Sequence, residues 1–398
     1  MSARPAASQS PLAVVVIGIL ALAIAMGIGR FAFTPLLPLM LRDGTLNGAS
    51  GAEWAAANYL GYLVGALTAP RFGHAPQHGL RIGLIGVVAT TLAVAWVDIA
   101  PPWVGAILRG STGIFSAWVL VCASGWCLPE LVRRRSTALG AWIYTGVGLG
   151  IAFTGTMAWL GGIQTARTLW IELGVLAAVG GVYVLRSLSV QAAVHSVQAG
   201  PANAIKEARA HAAKGTLGIV LCYCAFGFGY IIPATFLPTM ARQLVPDPLV
   251  FGLTWPIFGT AAVLSVTIVS RWFATSPRRK VWAIAQAIMS LGSLLPLIQQ
   301  SLWVLAASAV FVGGTFMVTT MAGLQLARER MPDNPTPLLA RMTAGFAVGQ
   351  IAGPVLVRVL GNSVIAGWDA LSWANAAATV ALVASSLWLW WGRDKATP

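Results

Sequence analysis

Gly27-Ile-Gly-Arg-Phe-Ala-Phe-Thr-Pro-Leu-Leu-Pro-Leu-Met40, running on to Arg42, lies in the first long apolar stretch of the chain. Two hundred positions later the sequence reads Gly227-Phe-Gly-Tyr-Ile-Ile-Pro-Ala-Thr-Phe-Leu-Pro-Thr-Met240, running on to Arg242. Ala25, Gly27, Gly29, Leu37, Pro38, Met40 and Arg42 fall on Ala225, Gly227, Gly229, Leu237, Pro238, Met240 and Arg242 at one constant offset. Two homologous halves therefore each open with a helix interrupted by Gly and Pro. The main difference at the centre of the repeat is Arg30 against Tyr230. A guanidinium facing lipid is costly, so Arg30 is expected to face a polar cavity between the halves.

Around this repeat the composition is that of a membrane protein. Of 398 residues, 57% are hydrophobic and 9% charged, with a mean hydropathy of +0.78, where soluble domains carry about 25% charged residues. The net charge of +14 does not indicate nucleic acid, because the basic residues sit in short loops between apolar runs. Cys122, Cys127, Cys222 and Cys224 lie inside apolar segments without metal-ligand spacing and read as small buried side chains. His74, His78, His195 and His211 are loop residues without metal spacing. The first apolar stretch reads as a retained helix rather than a cleaved signal: it continues to about Met40, contains Arg30 and has an internal counterpart.

Apolar stretches near spanning length are expected at about 12–41, 53–70, 81–99, 102–128, 137–161, 168–187, 215–241, 250–273, 281–299, 301–327, 338–361 and 367–391. The fold expected is all-α and polytopic, with twelve transmembrane helices in two pseudo-symmetric six-helix bundles. Residues 1–187 form the N-terminal bundle, 188–213 a cytoplasmic linker with a short surface helix after Pro201, and 214–398 the C-terminal bundle. With both termini cytoplasmic, 19 of the 25 Lys and Arg fall on the cytoplasmic side. Four (Arg42, Arg167, Arg242, Arg358) fall outside, and Arg30 and Arg109 lie in the membrane. That asymmetry orients a multi-pass inner-membrane protein. Trp388, Trp390 and Trp391 read as an interfacial belt at the end of the last helix.

Two parallel six-helix halves, a basic loop after the second helix and a longer central loop resemble the major facilitator superfamily. The Gly27–Met40 opening, with Thr343-Ala-Gly-Phe-Ala-Val-Gly-Gln-Ile-Ala-Gly-Pro354, is similar to its YbfB/YjiJ-type branch over nearly the whole chain. The superfamily's loop after helix 2 follows Gly-x-x-x-Asp-Arg-x-Gly-Arg-Arg; here Gly65-Ala-Leu-Thr-Ala-Pro-Arg-Phe-Gly-His74 keeps Arg71 and Gly73. Pro70 stands at the Asp and His74 at an Arg, which puts the usual charge-paired cytoplasmic gate in question. Arg109-Gly-Ser-Thr-Gly113 resembles the superfamily's Arg-plus-glycine motif. The resemblance also implies a glycine-rich seam between halves at Gly146, Gly148 and Gly150, matched by Gly345, Gly349 and Gly353-Pro354. By spacing alone, those late glycines share one helix face and permit close packing.

The chemistry follows from what the helices contain. Arg30 is a functional candidate by default, the alternative being a structural Arg held by carbonyls that Gly and Pro35 free. Arg109 reads either as a substrate contact or as a structural partner. Thr34, Asn58, Tyr144, Tyr230 and Gln350 complete the candidate substrate-binding set, each also readable as an interhelical hydrogen-bonding residue. Glu53, Asp98, Glu172, Asp247 and Asp369 fall near outer helix ends, and Glu130, Glu329 and Asp333 in cytoplasmic loops. No mid-helix carboxylate is present. Two arginines without a carboxylate favour an anion.

The expectation is a secondary transporter moving a small anionic solute by alternating access, with a coupling ion as a further partner. It acts as a monomer in the bilayer, with no cofactor, metal, nucleic acid or enzymatic activity. Efflux of apolar or cationic compounds and a non-transporting sensor or scaffold remain the alternatives.

Overall fold

A computed structural model describes residues 10–195, 216–244, 253–299, 301–332, 334–361 and 364–392. The surface helix expected after Pro201, together with Asp247 and Asp333, lies outside the described residues. Twelve helical runs follow one another among those described. In the first half they are α1 (Pro11–Arg42), α2 (Gly48–Thr68, closed by a tight turn Ala69–Phe72), α3 (Pro76–Ile99), α4 (Pro102–Arg133), α5 (Thr137–Leu160) and α6 (Ala166–His195). In the second they are α7 (Leu217–Leu244), α8 (Thr254–Trp272), α9 (Arg278–Ile298), α10 (Leu302–Arg330), α11 (Thr336–Leu360) and α12 (Ala370–Trp391). The α6 helix continues to His195, eight residues into the stretch read as linker. Glu130 and Glu329, expected in loops, instead lie in the last turns of α4 and α10. Helices outrun the apolar segments there because the polar ends leave the membrane; Glu130, 4% exposed, is held by Arg133 and Arg134.

Ten of these helices, all but α2 and α8, are long and apolar enough to cross a bilayer by length and composition. The two exceptions are the second helix of each half. Within the first half α2 packs on α4, and within the second α8 packs on α10; across the halves α2 packs on α11 and α8 on α5. A helix covered by protein on two sides needs less apolar surface than one facing lipid.

Glycines set how closely these helices meet. A Cβ on Gly27 would stand 2.3 Å from Cα of Gly150, so α1 and α5 touch backbone to backbone. Across the halves, a Cβ on Gly259 of α8 would stand 2.2 Å from the backbone nitrogen of Ala152 in α5. The seam expected between halves is thereby redrawn. Gly146 and Gly150 face Ile19, Ala23 and Gly27 of α1, within one half, and only Gly148 faces α8. Gly345, Gly349 and Gly353 likewise face α7, within the other half. The repeat explains the outcome, since the α1–α5 contact of one half recurs as α7–α11 in the other.

Further cross-half contacts lie at the end of the bundle where α1 begins and α6 finishes. There α11 packs on α4 and α10 on α4 and α5, Gly73 lies beside Asn334 and Gly125 beside Thr336. At the opposite end Arg42 donates to the carbonyls of Gly162 and Gln164, and Asp43 accepts from the Ala166 N–H at 2.6 Å. Burial there works to raise the Asp43 pKa, but Arg42 and the Ala166 N–H outweigh it and hold the carboxyl below its ordinary range.

Overpacking a close contact costs about 1–3 kcal/mol. Gly27→Val should therefore lower the thermal midpoint in detergent micelles, whereas Gly181→Ala, whose Cβ would meet only Val88 Cγ2 at 3.6 Å, should leave it nearly unchanged.

Candidate functional site

The site begins with a departure from regular helix. Between Ala23 and Phe31, α1 widens into π-type turns before resuming at Phe33–Arg42. Such turns loosen the usual backbone ladder and are often found at functional positions. Three carbonyls in or next to the widened stretch accept bonds from α4. Ser116 Oγ donates to Ala25 O at 2.8 Å, Arg109 Nη1 to Gly29 O at 2.8 Å and Arg109 Nη2 to Arg30 O at 2.9 Å. Arg109 is 2% exposed, and Asn58 Nδ2 donates in turn to its carbonyl at 2.9 Å. Arg109 and Asn58 thus hold the backbone of α1 and α4.

The wide turns present Arg30, 3% exposed, to the middle of the molecule. Its Cζ lies 3.7 Å from the centroid of the Tyr62 ring, at cation–π distance. Nη2 donates to Gln350 Oε1 on α11, so the guanidinium bridges the two halves. A guanidinium can only donate, which fixes the amide oxygen toward Arg30 and leaves Nε2 on the far side. Three buried donors then have no hydrogen-bond partner among the described residues: Arg30 Nε, Arg30 Nη1 and Gln350 Nε2. Arg42, Arg133, Arg134 and Arg167 each pair with a carboxylate, whereas Arg30 meets Tyr62 and Gln350 instead.

Rings surround this charge. Tyr230 stacks on Phe316 at 4.3 Å and 17°, and Phe346 lies 6.0 Å from Tyr230, 4.9 Å from Phe226 and 5.9 Å from Arg30 Cζ. An internal void of about 10 Å³ is lined by Tyr62, Tyr223, Phe316, Phe346, Met26 and Met317, among others. A single water needs about 10–15 Å³, so the centre of this conformer is closed to any solute.

Arg30, Gln350 and Tyr230 come together at this centre. Thr34 is half-buried on the outer segment of α1. Tyr144 is buried but points at Ser124 of α4, its OH 3.1 Å from Ser124 Oγ. Arg71, expected at the gate, lies over the Trp118 ring at 4.4 Å, and Pro354 is half-buried on α11. Tyr62, Phe316 and Phe346 were missed. Aromatic residues in apolar helices read as packing, and their convergence on Arg30 depends on contacts across hundreds of positions.

Leaving a buried carbonyl unpaired costs about 1–3 kcal/mol. Arg109→Leu should therefore destabilise the protein by at least that much in thermal unfolding, and Arg109→Lys, with a single point donor, should recover only part of it.

The sequence model of the family described as "Uncharacterised MFS-type transporter YbfB" matches residues 22–386. Among solved structures, the crystal structure of a D-xylose-proton symporter is similar with a TM-score of 0.69 at 12% identity. The match covers 96% of this chain and 97% of that one, and it shows the fold. A class D tetracycline resistance protein of Salmonella ordonez is 26% identical over 141 residues, which is 35% of this chain and 35% of that protein. The match thus spans about a third of that relative's length.

Proposed function

The chain belongs to the family of that model, a branch of the major facilitator superfamily, and is a multi-pass membrane transport protein; we propose that it is a secondary transporter carrying a small anion past Arg30. The observation that carries this reading is the set of unpartnered buried donors around a cation that has no carboxylate. A buried charge in a medium of low dielectric is held at a cost unless paired. An acceptor-rich anion supplies the missing partner through charge-assisted hydrogen bonds.

The two bundles, residues 1–187 and 214–398, work as rocking units about the α5–α8 and α2–α11 contacts, joined by the cytoplasmic stretch 188–213, whose first eight residues continue α6. The packed end, where α4 and α5 meet α10 and α11, faces the cytoplasm of an inner-membrane protein by its excess of Arg and Lys. Opening that end exposes the centre to the cytoplasm. Arg109 and Asn58 position Arg30 by holding the backbone it springs from. Gln350 takes up the guanidinium when the substrate leaves, which keeps the empty carrier from burying a bare charge. Gly73, Arg71 and the α11 glycines serve the packing that changes between states. A coupling ion and a monomeric unit complete the reading.

A second reading, efflux of apolar or cationic compounds, draws on the tetracycline resistance relative and the ring-lined void. Uptake of labelled small anions into proteoliposomes separates the two. Losing a charge-assisted contact of about 1.5–3 kcal/mol corresponds to roughly tenfold or more in affinity. Arg30→Ala should thus lower anion uptake at least that far, and Arg30→Lys should keep part of it. Flux of neutral or cationic compounds, unchanged in both variants, would overturn the anion reading.

A further inference from the structure

Resting on that reading, we infer that the substrate is a flat aromatic monocarboxylate: one carboxylate on Arg30, and a ring among Phe316, Phe346, Tyr62 and Tyr223.

The charge count comes from how the two membrane arginines are used. Arg109 commits Nη1 and Nη2 to the carbonyls of Gly29 and Arg30 and keeps only Nε unpartnered, so it lacks the paired donors that a carboxylate takes up. Arg30 has both Nε and Nη1 spare, and Gln350 has a spare Nε2 on the far side of its amide. One cation with two spare donors fits one carboxylate; a second negative charge would be buried without a partner.

The ring comes from the lining. The void is bounded by the rings of Tyr62, Tyr223, Phe316 and Phe346, and Tyr62 and Phe346 are also the rings that face Arg30. Tyr230 backs Phe316 in a stacked pair, which fixes the plane Phe316 offers. Aromatic pairs prefer offset-stacked or edge-to-face contact, so this lining favours an arene over an aliphatic ring of equal size. The void of about 10 Å³ must widen to admit one. Met26 and Met317 sit on its wall, and unbranched thioether side chains re-pack readily.

The experiment is binding to the purified full-length chain in detergent, by isothermal titration, with benzoate as probe. Cyclohexanecarboxylate, succinate and benzamide serve as comparators. Benzoate should bind, with cyclohexanecarboxylate weaker, and succinate and benzamide weaker by about tenfold or more. Arg30→Ala should abolish benzoate binding and Arg30→Lys retain part of it. Phe316→Leu should weaken benzoate more than cyclohexanecarboxylate and erase the preference between them, a selective change that misfolding does not produce. Succinate binding in an Arg30-dependent manner at least as tightly as benzoate would overturn the aromatic assignment and leave anion transport standing. Benzamide binding as well as benzoate, independently of Arg30, would overturn both. Absence of benzoate binding up to about 10 mM would overturn the aromatic assignment, and the uptake panel would still report on anion transport.

Discussion

A guanidinium without a carboxylate, buried at the centre of a membrane protein, is the constraint to which the rest of this structure answers. Insertion scales put a charged residue at mid-membrane about 2.5–3.5 kcal/mol above an apolar one. Here the charge is met by softer partners: the face of Tyr62 and the amide oxygen of Gln350. Both are weaker than an ion pair, and neither satisfies Nε or Nη1. Because Tyr62 and Gln350 come from opposite halves, holding the charge also holds the halves together. This conformer is therefore closed at its centre by contacts that leave two of the guanidinium's donors unspent.

A second arginine makes the first one possible. The widened turns of α1 aim Arg30 inward, but they present carbonyls that lipid could not satisfy. Arg109 and Ser116 supply the donors from α4, and Asn58 ties α2 to α4 beneath them. Two arginines of similar burial thus do different work, one spending both terminal nitrogens on backbone and the other keeping Nε and Nη1 in reserve. Charge alone does not distinguish them; hydrogen-bond bookkeeping does.

That division was only partly legible in the sequence. The repeat at Gly27 and Gly227, the sorting of Lys and Arg across loops and the spacing of apolar runs are local patterns, and they carry the two-bundle architecture directly. Arg30, Tyr230 and Gln350 could be picked out because a polar group in an apolar helix is conspicuous. The bond between Arg30 and Gln350 spans 320 positions and leaves no local trace. Tyr62, Phe316 and Phe346 look like ordinary packing residues until the fold brings their rings together. The glycines of α5 and α11 were visible as close-packing faces, but periodicity does not say which neighbour a face meets, and most of them meet the opening helix of their own half.

The widened turns of α1 also have a consequence for symmetry. In α7 the corresponding stretch is uninterrupted helix, so the two copies of the repeat fall out of rotational phase although their sequence offset stays constant. The glycines record the slip: Gly27 and Gly227 face α5 and α11, equivalent helices, whereas Gly29 faces Val87 of α3 and Gly229 faces Leu382 of α12. Parallel halves are related by an axis along the membrane normal, so interchangeable halves would put the same group on both flanks of the centre. Here one flank carries the cation Arg30 and the other the neutral ring of Tyr230. The centre is thus polarised sideways, across the pseudo-axis, by the winding of a single helix.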